Sequence, residues 1–223
     1  MSLIKARIAS PATRVPAPSA RTYSTRSTSA VFACVLAALA GQTSAAAQDR
    51  DAETLARGKY LVTVAGCNDC HTPWKVGPAG PEPDMSRMLS GHPESFVITA
   101  PATMPPGPWL AAASATNTAH SGPWGVSFTA NLTPDQETGL GKWTQATFTQ
   151  TIRTGRHMGR GRKILPPMPI PMYKHFTDED LVAIFTYLQS IPPVSNRVPE
   201  PLPPATLASG EPQGTDGGTA RAP

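Results

Sequence analysis

The chain has 223 residues, 19 Lys plus Arg against 15 Asp plus Glu, and three cysteines. Five of the basic residues and none of the acidic ones precede Ala47, so the remainder carries fourteen positive charges against fifteen negative, and the formal +4 belongs to the leading stretch. A near-neutral remainder excludes the broad basic surface that nucleic-acid binding needs, and its length suits one domain.

Residues 1–29 carry Lys5, Arg7, Arg14, Arg21 and Arg26 among many Ser, Thr and Pro, and then comes the apolar run "AVFACVLAALAG" followed by "QTSAAAQDR". A basic lead, a short apolar segment and a small-residue A-x-A site predict a signal peptide over residues 1–47, removed on export to the periplasm. The apolar run falls short of the roughly 20 residues that span a bilayer, so no transmembrane anchor is expected in the mature chain. Cys34 leaves with the leader. Cys67 and Cys70 are then the only thiols in an oxidising compartment, and one covalent use must account for both.

The first predicted helix covers residues 52–65, with Leu55, Tyr60, Leu61 and Val64 at helical spacing. Some 75 residues rich in Pro and Gly follow, a length that is uncommon in a compact domain unless the segment wraps something. The second helix, "TQATFTQTIR", covers residues 144–153 and stops at Gly155. The third, "TDEDLVAIFTYLQSI", opens on Thr177 as N-cap with three acidic residues behind it. Leu181, Ile184, Phe185 and Leu188 form its apolar stripe, and Pro192-Pro193 end it. From residue 196 onward the chain is Pro-, Gly- and Ala-rich without apolar periodicity. This predicts a domain over residues 48–197 and a disordered tail over 198–223.

The chemistry is concentrated in "CNDCH", residues 67–71. C-x-x-C-H is the attachment pattern of c-type haem. On a helix, Cys67 and Cys70 at i and i+3 face one side and can add to the two vinyl groups of the macrocycle. His71, at i+4 from Cys67, shares that side and can reach the iron. The competing readings are a redox-active C-x-x-C, a disulfide and half a zinc site. The first lacks its βαβ setting, and the last lacks a second ligand pair. One covalent haem c per chain is therefore expected.

The sixth iron position separates a closed electron carrier from a ligand-binding haem. Met168 stands in "ILPPMPIPMY", where prolines hold the backbone at low entropic cost, and a thioether suits reduced iron. Met172 or a histidine is the alternative.

The stretches "GKYLVTVAGCNDCHTP", "ANLTPDQETGLGKWT", "TIRTGRHMGRG", "PPMPIPMY" and "TDEDLVAIFTYLQSIPP" resemble class I cytochrome c domains. The resemblance is to the bacterial type found in the cytochrome subunits of membrane-bound alcohol and gluconate dehydrogenases. It implies an all-α fold whose first and last helices cross near Gly58 and Tyr187, and His71 and Met168 as axial ligands. It also implies redox partners such as a dehydrogenase or a membrane oxidase. Those subunits usually carry several haem motifs and this chain has one, which favours a stand-alone monohaem carrier over a subunit of such a complex.

Trp124, Phe128, Leu132 and Trp143 are expected to line the haem crevice, with ordinary core packing as the alternative. The run "RTGRHMGRGRK" offers Arg153 and Arg156 for haem propionates or for docking an acidic partner, with a solvated loop as the alternative. The expected function is single-electron transfer without catalysis. The alternative is a haem enzyme reducing peroxide or a nitrogen oxide, with an open or releasable sixth position and His157 or His120 on the distal side.

Overall fold

The computed structural model describes residues 48–105 and 107–204. The expected signal peptide, and the part of the expected tail beyond residue 204, lie outside the described residues.

Five helices occur in the described chain. Helix α1 covers residues 48–64, α2 Cys67–His71, α3 Gln145–Thr154, α4 Ile170–Tyr173 and α5 Asp178–Ser190. The α3 and α5 boundaries follow local capping chemistry. The Thr144 hydroxyl accepts from the Thr147 N–H and the Thr177 hydroxyl from the Asp180 N–H, while Gly155 closes α3 in the left-handed conformation. The main core lies where α1, α3 and α5 meet. Leu61 and Val62 come from α1, Phe148 and Ile152 from α3, and Leu181 and Leu188 from α5. Leu181 is fully buried, worth about 2 kcal/mol of transfer free energy.

The apolar stripe of α1 differs from expectation. Leu55, Tyr60 and Val64 are exposed, and the buried positions are Gly58, Leu61 and Val62. The packed face is centred on a glycine, which carries no hydrophobic signal. Tyr60 lies off that face, beneath the Arg57 guanidinium 5.6 Å from its ring centroid.

The expectation of an all-α fold is overturned. Strands β1 Trp74–Gly77 and β2 Gly80–Pro83 form an antiparallel hairpin. Strands β3 Ala112–Ala113, β4 Ala119–Gly122 and β5 Gly125–Phe128 form a second antiparallel sheet, in the order β3-β4-β5. These strands have two to four residues each, too few to display a two-residue period. β4 and β5 are also buried on both faces, so no exposed polar face sets off their apolar residues.

Alternation in β4 and β5 separates two environments. Ala119, Val126 and Phe128 face a small second cluster with Ile98, Val198 and Leu202. His120 and Ser127 are cross-strand partners and belong to the opposite face.

The chain beyond residue 197 is ordered as far as the description reaches, where a disordered tail was expected. Leu202 and Val126 exchange N–H···O bonds of 3.0 Å in both directions. A β-carbon on Gly125 would stand 2.0 Å from the Leu202 carbonyl oxygen, so this close approach requires glycine. The segment is held by one backbone bridge, a few apolar contacts and the Arg162–Glu200 ion pair at 3.1 Å, and none of these needs a periodic sequence.

Candidate haem-attachment site

Gly66, with φ 71°, turns the chain sharply between α1 and α2. Helix α2 is a single short element, and its position is fixed by side chains. The buried Thr72 hydroxyl donates to Asn68 Oδ1 at 3.1 Å and accepts from the Leu89 N–H at 2.9 Å. The His71 carbonyl accepts from the Gly91 N–H at 2.8 Å. The long Pro/Gly-rich segment thus braces the attachment helix from outside.

Cys67 and Cys70 are half-buried free thiols, and Cys67 packs against the main core. Burial pushes the Cys67 thiol up to about 11. Burial and the Asp69 charge raise Cys70 as well. Redox-active C-x-x-C pairs show the opposite shift, because their attacking sulfur is held as thiolate. Among the described residues, no three of His, Cys, Asp and Glu cluster to hold a metal ion. The zinc reading therefore gains no support from the fold.

His71 is buried, and its Nδ1 donates to the Ala130 carbonyl at 2.7 Å. That bond places the proton on Nδ1 and leaves a lone pair on Nε2, which has no hydrogen bond among the described residues. A backbone carbonyl on the far nitrogen is the usual orienting contact of a metal-ligating imidazole. Burial also lowers the His71 pKa, so the ring stays neutral. Two neutral thiols on one helix face, an oriented imidazole with a free lone pair and an apolar cluster alongside fit a covalent haem.

Met168 is half-buried against the same cluster as Cys67. Its loop is anchored on both sides. Upstream, Ser127 Oγ donates to the Pro166 carbonyl at 2.5 Å, and the Ile164 N–H donates to Gly155 at 2.8 Å. Downstream, the hydroxyl of Tyr173 in α4 donates to the Ala65 carbonyl, two residues before Cys67. Met88 shares the cluster, whereas Met172 is 72 % exposed and away from it.

The remaining expected site residues divide. Leu132 and Trp143 pack on the cluster that holds Cys67 and Met168. Phe128 belongs to the second cluster and lies 4.7 Å from the His92 ring, so it does not join them. Trp124, in the β4–β5 turn, donates its indole N–H to the His120 carbonyl at 3.3 Å. Arg153 is engaged elsewhere. Its guanidinium donates to the Lys174 and Phe176 carbonyls at 2.7 Å each and to Asp178 at 2.5 Å, tying α3 to the start of α5. Arg156 is exposed and donates to the Gly161 carbonyl at 3.0 Å. Of the two distal histidine candidates, His157 is exposed and rests edge-on against Trp143, while His120 is buried. Sequence reasoning missed the Ala130 carbonyl and Tyr173. A backbone acceptor leaves no trace in side-chain identity, and a lone Tyr in a loop has no periodicity to mark it.

No protein-family model matches the chain. It is 36% identical over 77 residues, 34% of the chain, to a subunit of the nicotinate dehydrogenase of Pseudomonas putida, and covers 6% of that protein. It is 26% identical over 157 residues, 69% of the chain, to the cytochrome c subunit of alcohol dehydrogenase (quinone) of Gluconobacter oxydans, of which it covers 25%. With the gluconate 2-dehydrogenase cytochrome c subunit of Pantoea cypripedii it shares 34% identity over 74 residues, 33% of the chain and 17% of that subunit. The chain thus spans a quarter or less of the length of these three relatives. Over the part that aligns, it resembles the c-type cytochrome domains in the cytochrome subunits of bacterial alcohol and gluconate dehydrogenases.

Proposed function

We propose that this chain is a periplasmic monohaem c-type cytochrome that carries single electrons from a dehydrogenase or a quinol-oxidising donor to a terminal acceptor. The observation that carries the reading is the Cys67–Cys70–His71 helix, with the imidazole proton held by Ala130 and Nε2 left free. Haem c, once bound, supplies a one-electron ferric/ferrous couple. Cys67 and Cys70 would hold it by thioethers and His71 would ligate the iron. Met168, on a loop fixed at Pro166 and, through Tyr173, at Ala65, would supply the second ligand. Leu132 and Trp143 add apolar surface that keeps water from the centre.

The aligned alcohol and gluconate dehydrogenase relatives are cytochrome subunits, which supports a carrier and not a catalyst. It also supports a dehydrogenase as electron donor. Among the described residues no helix is long and apolar enough to cross a membrane.

The test is expression with its own leader in a host that matures c-type cytochromes. One covalent haem per chain in the periplasmic fraction is expected, resisting acid-acetone extraction, with a sulfur-to-iron charge-transfer band in the oxidised protein. Met168→Ala should lose that band while Met88→Ala keeps it. Haem that extracts freely, or a band unchanged in Met168→Ala, refutes the reading.

A further inference from the structure

Arg153 is bound to backbone carbonyls and Asp178, and Arg156 is exposed, so neither cation is buried toward the attachment helix. A haem nevertheless brings two propionate carboxylates, and a carboxylate taken out of water needs a polar partner. Apart from His71, whose free Nε2 is assigned to the iron, His120 is the histidine among the described residues with a buried, unpartnered ring nitrogen. It is 9 % exposed, and its Nε2 has no hydrogen bond. A buried imidazole nitrogen without a partner costs about 1–3 kcal/mol, so its persistence calls for a ligand, a water or an ion.

His120 is linked to the candidate haem site through its strand. Its cross-strand neighbour Ser127 sends one hydroxyl to both the His120 carbonyl, at 3.3 Å, and the Pro166 carbonyl, at 2.5 Å, two residues before Met168. The β4–β5 face bearing His120 and Ser127 is therefore tied to the Met168 loop. Trp124 holds the same strand by donating to the His120 carbonyl.

We propose that His120 binds one haem propionate, through a proton shared between its Nε2 and the carboxylate. A carboxylate offers only acceptors, so one proton must stand between its oxygen and the Nε2 of His120. The inference rests on the haem reading above. It gives the second sheet, which a bare attachment site does not need, a role in holding the cofactor. Arg153 is then a fold-stabilising residue.

The experiment compares wild type, His120→Phe and His120→Gln, each matured with haem. Covalent haem is measured first by pyridine haemochrome. Its absence from wild type overturns the haem reading itself and this proposal with it. With haem present, the propionate bending mode in the resonance Raman spectrum should shift in His120→Phe, while the low-spin spectrum persists. The midpoint potential should fall, with ferric iron favoured at least tenfold, or ~59 mV for one electron, because a carboxylate charge is left without its partner. His120→Gln, which keeps a side-chain N–H, should lie between the two, and it carries the comparison if the Phe variant does not mature. An unmoved mode and potential in a variant that retains low-spin haem overturn the proposal. They assign Nε2 to a buried water instead.

Discussion

Gly58 of α1 lies in direct backbone contact with Ala183 of α5. A β-carbon on Gly58 would stand 1.9 Å from the Ala183 carbonyl oxygen and 2.8 Å from Tyr187 Cβ. Because the obstacle is main chain, no rotamer change relieves it, and the two helices must part. Gly58→Ala should destabilise the protein by about 3 kcal/mol. The collision outweighs the roughly 1 kcal/mol that Ala gains over Gly in a helix. The check is a lower urea midpoint at an unchanged denaturant slope.

Asn196 sits where three separated segments converge, 3% exposed. Its carbonyl oxygen accepts from Arg87 and from the Glu94 N–H, and its amide donates to the Ser90 and His92 carbonyls at 2.7 and 2.8 Å. Asn196→Ala leaves buried donors and acceptors without partners and should cost about 3 kcal/mol. Asn196→Asp should cost at least as much, since a carboxylate then confronts two carbonyl oxygens. Chemical denaturation of the haem-loaded variants measures both. A loss under about 1 kcal/mol in both would show that the junction is not the anchor of the C-terminal segment.

The legible parts of this molecule are those where one local rule suffices. Thr144, Gly155 and Thr177 announce helix ends through their own capping groups, and the stripe of α5 follows its 3.6-residue period. The attachment helix is legible because covalent chemistry fixes both residue type and spacing. Strands β1 to β5 are illegible for the converse reason. They are short, sit among prolines and glycines, and gain order from non-local contacts such as Val126 with Leu202. The same holds for the site's surroundings. Leu132 and Trp143 reach the core cluster, yet Phe128, the last residue of β5, points to the other cluster, and Leu132 lies beyond the strand in the loop that follows it. Arg153 reads as an exposed cation, and only the fold reveals its backbone acceptors.

His92 makes stability depend on pH. Its Nε2 donates to the Phe96 carbonyl at 2.8 Å, and its Nδ1 pairs with the Thr118 hydroxyl at 2.9 Å, itself 2.7 Å from Thr116 Oγ1. Burial lowers its pKa below that of free imidazole. The folded state therefore binds fewer protons than the unfolded state. The associated stability is fully present above the unfolded value of about 6.5 and declines as pH falls through the folded value. His157 is shifted the same way, also chiefly by burial, and adds to the trend. Melting temperature should drop between pH 7.5 and pH 5, and the drop should shrink in His92→Gln. An identical drop in that variant would remove His92 from the account.

Tyr173 links the Met168 loop to the attachment helix through one hydroxyl. The O–H donates to the Ala65 carbonyl, while the ring packs on Phe176 at 5.3 Å between centroids. Tyr173→Phe keeps the ring and removes only the donor, so global stability should fall by about 1 kcal/mol. The local effect is larger in kind. Helix α4 has only four residues, and without the tie the chain after Pro169 loses its bond to the segment before Cys67 and keeps only its packing and the Arg153 bonds beyond it. A loop that opens more often exposes the sixth iron position more often. Imidazole, added to oxidised Tyr173→Phe, should therefore displace the thioether several-fold more readily than in wild type, read as loss of the sulfur-to-iron charge-transfer band. Equal imidazole affinity in the two proteins would mean that the Ser127 bond to Pro166 fixes the loop by itself.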